Sequence, residues 1–183
     1  FVANFTTFMA IVDAIGGVDI DNPYTFVANS IKEYKGTFEK GKVHLDGNMA
    51  LAYVRERKHL SGGDFARNAH QTIVLKAMIE KLTSVGMITQ IDQILEAITG
   101  KFVTNISLES IYGIAQMQLN DMAVWNIVTY SLTGSTGMEP CAAMGQNTKL
   151  SIVYPNASQF KILNAEIKKV LEGEEISQED FEE

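Results

Sequence analysis

Segments with the apolar spacing of a helix alternate along this sequence with short strand-like segments. A helix over residues 6–15 ends at Gly16-Gly17 and leads directly into a strand over residues 18–21. The apolar residues 1–5 are compatible with an opening strand. Alternating helices and strands favour the α/β class, and we expect a layered α/β/α arrangement with a central mixed β-sheet and helices on both faces.

The remaining segments continue this alternation almost to the end of the chain. Helices are predicted over residues 46–52, 64–82, 87–98, 108–119 and 156–171, and strands over 125–132 and 151–154. Side chains able to cap these helices stand at Thr6 or Thr7, Asp46, Asp64 and Asn156. If Arg55 and Arg57 act together, residues 53–57 are predicted to be extended, because residues two apart share a face on a strand and not on a helix.

The composition is that of one globular domain, with 183 residues, 46% of them hydrophobic and 20% charged. The net charge of -7 comes from residues 172–183, which hold seven acids and no base, whereas the other 171 residues hold 15 acids and 15 bases. We therefore predict one domain over residues 1–171 and a flexible acidic tail over residues 172–183. A neutral body argues against a nucleic acid partner, since that binding depends on basic patches.

The arginines are confined to one short window. All three, Arg55, Arg57 and Arg67, fall within 13 residues, whereas the twelve lysines are scattered along the chain. Arginine presents a planar fork of donors that can hold phosphate or carboxylate through two hydrogen bonds. An anion site is therefore the first interpretation. The alternative is that the arginines are surface ion-pair partners of nearby acids: Glu39, Glu56 and Asp64.

One stripe of the long helix predicted over residues 64–82 carries polar residues at its start. Asp64, Arg67 and Gln71 are spaced i, i+3 and i+7, so they lie along one side of that helix. The same stripe continues with apolar residues: Val74, Met78 and Leu82. This pattern predicts that Arg67 and Gln71 face inward at the rim of the core, where a ligand pocket would lie.

Three segments together resemble the LytR-CpsA-Psr family of Gram-positive cell-wall proteins. The first is VDAIGGVDI at residues 12–20, and the second is GKVHLDGNMALAYVRER at residues 41–57. The third is Gly63-Asp64-Phe65-x-Arg67 with Gln71 beyond it. The resemblance covers nearly the whole chain apart from the tail, and it identifies the chain as the C-terminal part of the family's extracellular domain.

The resemblance implies a transferase of cell wall biogenesis. Members of the family attach glycopolymers, of the wall teichoic acid or capsular polysaccharide type, from polyprenyl-pyrophosphate carriers to peptidoglycan. They work at the extracellular face of the plasma membrane of Gram-positive bacteria, held by a single-pass anchor. The resemblance also implies that this anchor and the N-terminal half of the domain lie outside this chain, so activity of the chain by itself stays open.

The same resemblance assigns roles to individual residues. It implies that Arg55, Arg57, Arg67 and Gln71 bind the pyrophosphate of the substrate, and that Asp64 and Arg67 are catalytic. Asp64 would orient an arginine or assist Mg²⁺, whose main ligands would belong to the N-terminal half. Fixed guanidinium groups suit this chemistry, because negative charge develops on phosphate oxygens during the transfer.

Of the three histidines, one is a candidate site residue and two are not. His70 stands where an arginine is common in the family, and when protonated it could assist as an auxiliary phosphate contact. His44 and His59 are predicted to be structural or solvent-facing. Two other functions stay open from the sequence: a transcriptional regulator, the historical label of the family, and a non-catalytic module that binds an anionic polymer or polyprenyl phosphate.

Overall fold

The computed structural model describes residues 4–100, 104–141 and 148–181. Within these ranges the helices are α1 (Phe5–Ala14), α2 (Gly47–Arg55), α3 (Gly63–Leu82), α4 (Val85–Ile88), α5 (Ile91–Ile98), α6 (Leu108–Asp121) and α7 (Ala157–Leu171). The strands are β1 (Val18–Asn22), β2 (Phe26–Ala28), β3 (Gly36–Phe38), β4 (Gly41–Leu45), β5 (Gly134–Pro140) and β6 (Lys149–Pro155), and a 3-10 turn follows at Glu179–Phe181. The chain divides into two compact units, Phe1–Asn126 and Ile127–Glu183.

The first helix begins earlier than its sequence indicates. Asn4 is the N-cap of α1, and its side chain accepts a hydrogen bond from the backbone N–H of Thr7 at 2.9 Å. The predicted cap at Thr6 or Thr7 is therefore wrong, because Asn4 fills that role two or three residues earlier. Phe5 is helical, so the predicted opening strand is wrong at this residue, and residues 1–3 lie outside the described residues. Gly16 and Gly17 both adopt φ of 72° and end the helix as predicted.

The mixed α/β class is confirmed, and the strands of the described ranges pair as three two-stranded antiparallel sheets. Val18 of β1 lies opposite Leu45 of β4, and Phe26 of β2 lies opposite Phe38 of β3. Strands β5 and β6 form the third sheet. This differs from the expected central mixed sheet. The paired strands β2 and β3, and likewise β5 and β6, are joined by connections of fewer than ten residues. Such connections suit antiparallel pairing, whereas parallel pairing needs a long crossover.

Two predicted segments adopt other structures. The backbone N–H of Glu56 donates to the Ala52 carbonyl at 3.0 Å, and α2 continues through Arg55. The predicted extended segment over residues 53–57 is therefore wrong at residues 53–55, whereas the backbone of Glu56 is extended. Residues 125–132 form no strand, because no strand among the described residues pairs with them, and the Trp125 indole instead donates to the Gln118 side chain at 2.7 Å.

The core of the first unit is built around buried aromatic rings. Tyr53 of α2 is fully buried, and its ring lies 5.4 Å from that of Phe26 and 5.2 Å from that of Phe38, measured between centroids. The Tyr53 hydroxyl donates to the Asn22 side chain at 2.9 Å. Because Asn22 ends β1, this bond joins helix α2 to the β1–β4 sheet.

His70 of α3 is part of the same cluster. Its ring stacks on Tyr53 at 4.3 Å and is completely buried. Its Nδ1 lies 3.3 Å from the Tyr53 carbonyl and its Nε2 lies 3.0 Å from the Tyr24 hydroxyl. A carbonyl can only accept, so Nδ1 carries the proton and Nε2 accepts from Tyr24. Burial lowers the pKa of His70, and the ring is neutral in the folded protein.

The second unit consists of the β5–β6 hairpin, helix α7 and the segments beside them. Asn156 caps α7 as predicted, since its side chain accepts from the Ser158 backbone N–H at 3.0 Å. The apolar side of α7 remains largely exposed, with Leu171 80% accessible. Beyond α7, the Phe181 ring lies 4.5 Å from the Tyr130 ring, within the same unit. The predicted domain boundary at residue 171 stays a prediction.

None of the described helices has both the length and the apolar character that crossing a bilayer requires.

The buried neutral histidine predicts a specific pH dependence of stability. The folded-state pKa of His70 lies below the unfolded-state value of about 6.5, so the unfolded chain binds more protons below that pH. Stability present above pH 7 is therefore lost as the pH falls, by up to about 1.4 kcal/mol per pH unit from this group. Urea unfolding at pH 7.5, 6.5 and 5.5 should show a shallower dependence in His70→Gln than in the wild type.

His44→Gln is the matched control for this measurement. The His44 side chain is 56% exposed and lies 2.8 Å from Asp19, so its loss leaves the buried cluster unchanged. An unchanged pH dependence in His70→Gln would contradict the assignment of a neutral buried ring.

Candidate functional site

The candidate site lies where α2 ends and α3 begins. Asp46 caps α2 as predicted, with its side chain accepting from the Met49 backbone N–H at 2.8 Å. Helix α2 ends at Arg55, and the connection that follows carries Arg57. Helix α3 begins at Gly63, so Asp64 lies inside the first turn and makes no capping hydrogen bond; its predicted role as N-cap is wrong.

Asp64 instead joins two of the three arginines. Its Oδ2 lies 3.0 Å from Nη2 of Arg57, and its Oδ1 lies 2.6 Å from Nη2 of Arg67. The three side chains are between 35% and 58% exposed. Two guanidinium groups carry ten N–H donors, which exceed what one carboxylate can accept. The trio therefore keeps a net positive charge of one and surplus donors at a solvent-accessible position.

Arg55 and Gln71 are held differently. The Arg55 guanidinium carbon lies 4.2 Å from the centre of the Phe5 ring, a cation–π contact, and within the described ranges Arg55 forms no ion pair. The Gln71 amide donates to the Val54 carbonyl at 3.3 Å. This bond satisfies a carbonyl in the last turn of α2, where no helical partner is available. Gln71 thus fixes α3 against the end of α2.

The inward side of α3 differs from the predicted stripe. His70, Val74 and Met78 are buried, whereas Gln71 is exposed and Arg67 is partly exposed. The predicted inward stripe is therefore correct for its apolar part and wrong for Gln71. Residues 70, 74 and 78 are spaced i, i+4 and i+8, which places them on one helix face.

The predicted auxiliary role of His70 at a phosphate is contradicted by its position. The ring is fully buried, both nitrogens are hydrogen-bonded, and burial lowers its pKa, so it is uncharged and out of reach of an external anion. His70 stands where an arginine is common in the family, but in this fold that position faces the core.

Glu56 is a further residue of the site, which the sequence indicated only as a possible surface ion-pair partner. It is 0% exposed, and its carboxylate accepts hydrogen bonds from five donors. These are the backbone N–H groups of Asn29 (2.8 Å), Arg57 (2.9 Å) and His59 (3.2 Å), the Ser30 hydroxyl (2.8 Å) and the His59 ring Nδ1 (3.1 Å).

These hydrogen bonds control the ionisation of Glu56. Burial by itself favours the neutral acid, but the donors at Asn29, Ser30 and His59 outweigh it and lower the pKa of Glu56 to about 2. No local sequence signal marks this role, because two of the five donors lie 26 and 27 residues away along the chain.

A family model, that of the LytR_cpsA_psr family, matches residues 1–170 of the sequence. The chain belongs to this family. The match covers the candidate site and all seven described helices except Leu171, the last residue of α7, and it confirms the resemblance inferred from the motifs.

Two curated relatives illustrate the similarity. The polyisoprenyl-teichoic acid--peptidoglycan teichoic acid transferase TagV of Bacillus subtilis (strain 168) is 38% identical over 135 residues, which are 72% of this chain and 34% of TagV. The TagU transferase of the same description from Halalkalibacterium halodurans is 35% identical over 152 residues, 82% of this chain and 44% of TagU. The chain thus spans between a third and a half of the curated relatives it matches.

Solved structures of the family share the fold. The crystal structure of Bacillus subtilis TagV superposes with a TM-score of 0.70 at 30% identity, covering 98% of this chain and 62% of that chain. A structure of TagT bound to LIIa-WTA superposes with a TM-score of 0.63 at 25% identity, covering 91% of this chain and 58% of that chain.

The described residues by themselves do not form a magnesium site. Mg²⁺ prefers several oxygen ligands in octahedral geometry. Both oxygens of Asp64 are engaged by guanidinium groups, and the described part of the chain contains no group of three His, Cys, Asp or Glu residues arranged to hold a metal. Asp64 could therefore supply at most one ligand to such an ion.

The geometry predicts that Asp64 contributes little to stability. Its ion pairs are half-exposed, and such pairs are worth about 0.2–1 kcal/mol each. Asp64→Asn should therefore lower the free energy of unfolding by about 2 kcal/mol or less, measured by urea unfolding. Glu80→Gln, which weakens the exposed Lys76–Glu80 pair at 4.0 Å on the same helix, is the control. A loss of about 4 kcal/mol would instead indicate a buried structural charge.

Proposed function

We propose that the protein is a phosphotransferase that attaches a glycopolymer from a polyprenyl-pyrophosphate carrier to peptidoglycan. The observation that carries the proposal is the Arg57–Asp64–Arg67 trio, with 3.0 Å and 2.6 Å contacts, in a chain of the LytR_cpsA_psr family. TagV and TagU are named as transferases of teichoic acid between a polyisoprenyl carrier and peptidoglycan, which makes a teichoic acid the first polymer to test. A capsular polysaccharide is the other polymer of the proposal.

The bonds that form and break in the proposed reaction explain why positive charge is needed at the site. An acceptor hydroxyl of peptidoglycan attacks the phosphorus that carries the polymer, and a new phosphate ester bond forms. The bond from that phosphorus to the bridging oxygen breaks, polyprenyl phosphate leaves, and the hydroxyl proton is released. Negative charge grows on the bridging and terminal oxygens, where prearranged donors stabilise it without reorganisation.

The chain's own residues divide this work. Arg57 and Arg67 offer guanidinium donors to the diphosphate, and Asp64 orients both of them. Arg55 and Gln71 flank the site at the end of α2, and their binding to pyrophosphate stays a proposal based on the resemblance. Mg²⁺ is proposed on the same basis, and Asp64 is the solvent-accessible carboxylate of the trio that would contribute a ligand to it.

We propose the outer face of a Gram-positive plasma membrane as the place of this reaction. A lipid-linked donor and a peptidoglycan acceptor meet at that surface, and the descriptions of TagU and TagV name both substrates. A single-pass anchor remains part of the proposal and rests on the resemblance.

Replacement of either arginine of the trio tests the proposed function. Arg57→Ala and Arg67→Ala should each lower the rate of transfer about a hundred- to a thousandfold, the typical effect of losing one donor to a developing negative charge. The assay uses the complete protein with polyprenyl-pyrophosphate-linked teichoic acid and peptidoglycan, and mass spectrometry detects the joined product. Lys58→Ala removes an exposed positive charge next to Arg57 and should leave the rate unchanged.

Two results would contradict the proposal. Wild-type rates in both arginine variants would remove the trio from the chemistry. Tight binding of a polyprenyl pyrophosphate by calorimetry, with no product from the complete protein, would favour a non-catalytic binding module.

A further inference from the structure

The Glu56 carboxylate is an ionised group with no exposure to water, located one residue before an arginine of the candidate site. A buried charge is costly unless hydrogen bonds compensate for lost hydration. All five groups facing this carboxylate are donors. A carboxamide at the same place would direct its own N–H groups toward donors, so the site selects a carboxylate.

One side of this arrangement belongs to the core. Oε2 of Glu56 accepts from the Asn29 backbone N–H, and Oε1 accepts from the Ser30 hydroxyl. Asn29 and Ser30 directly follow β2, whose residues Phe26 and Ala28 are buried. The carboxylate is thus attached to a part of the fold that packing holds in place.

The other side belongs to the connection between α2 and α3. The same Oε1 accepts from the backbone N–H groups of Arg57 and His59 and lies 3.1 Å from the His59 ring. These bonds fix the backbone from which the Arg57 side chain extends to Asp64. Arg67 stands on α3, which has its own contacts with α2, including the Gln71 bond to the Val54 carbonyl. Glu56 therefore acts on Arg57 and leaves Arg67 in place.

We propose that Glu56 is a positioning residue of the transferase site. Its buried carboxylate holds the backbone of Arg57 against the β2 end, so that the Arg57 guanidinium is preset for a diphosphate. This inference rests on the proposed function, because it assumes that Arg57 binds the pyrophosphate of the lipid carrier. Because the Arg57 side chain is already ordered, substrate binding does not carry the entropy cost of immobilising it.

A double-mutant cycle distinguishes this positioning role from a purely structural role. The Kd of farnesyl pyrophosphate is measured by calorimetry for the wild type, Glu56→Gln, Arg57→Ala and the double variant. We expect Glu56→Gln to raise the Kd about tenfold through misplacement, and Arg57→Ala to raise it about a hundredfold. The double variant should bind no more weakly than Arg57→Ala, because Glu56 acts through Arg57.

A second cycle supplies the contrast. Glu56→Gln combined with Arg67→Ala should multiply the two single effects, since Arg67 is positioned independently. Glu39→Gln is the matched charge control. Glu39 is an exposed acid that accepts from the Thr25 hydroxyl at 2.9 Å, and its loss should leave the Kd unchanged. Circular dichroism confirms that each variant is folded at the temperature of the titration.

The outcomes separate this inference from the proposed function. The positioning role would be overturned by a wild-type Kd in Glu56→Gln. It would also be overturned if the effects of Glu56→Gln and Arg57→Ala on the Kd multiply in the double variant. Neither result would contradict the binding site itself. No binding by the wild type, or a wild-type Kd in Arg57→Ala, would overturn the site itself and the inference with it. If Glu56→Gln does not fold, Ser30→Ala replaces it in both cycles with the same criteria, because it removes one donor and leaves the carboxylate.

Discussion

The burial of Tyr53 is the contact on which the arrangement of this site depends. Its ring packs against Phe26 and Phe38 and stacks on His70, and its hydroxyl bonds to Asn22. These four neighbours belong to β1, β2, β3 and α3, so one side chain of α2 joins both sheets of the first unit to the long helix. The end of α2 and the start of α3 are thereby brought together, and the arginines at these positions become neighbours.

Two acidic residues beside these arginines illustrate opposite uses of a carboxylate. Asp64 is half-exposed and pairs with two guanidinium side chains, so its contribution to stability is small and its effect is on side-chain orientation. Glu56 is fully buried, and the charge is stabilised mainly by backbone N–H groups and a hydroxyl. The first orders the guanidinium groups relative to each other, and the second orders the backbone that carries Arg57.

The charge distribution agrees with a site for a single diphosphate instead of a long polyanion. Outside residues 172–183 the acids and bases are equal in number, and the arginines are confined to one corner of the first unit. A nucleic acid would require a wider basic surface. A diphosphate needs a few fixed donors at short range, which the trio of Arg57, Asp64 and Arg67 can provide.

Sequence by itself determined the features that depend on nearby residues. The helix caps at Asp46 and Asn156 and the glycine pair that ends α1 follow from side chains and backbone within a few positions. The family could also be identified from short motifs, because the spacing of their residues can be read directly from the sequence. Clustering of the arginines indicated an anion site for the same reason.

Only the tertiary structure decided which polar side chains are buried. Glu56 and His70 sit in the same short window as the arginines, yet one is enclosed by the end of β2 and the other by Tyr53 and Phe26. The pairing of β1 with β4 is equally distant in sequence. Burial and pKa depend on groups that folding brings from 17 to 46 residues away, and no local pattern contains that information.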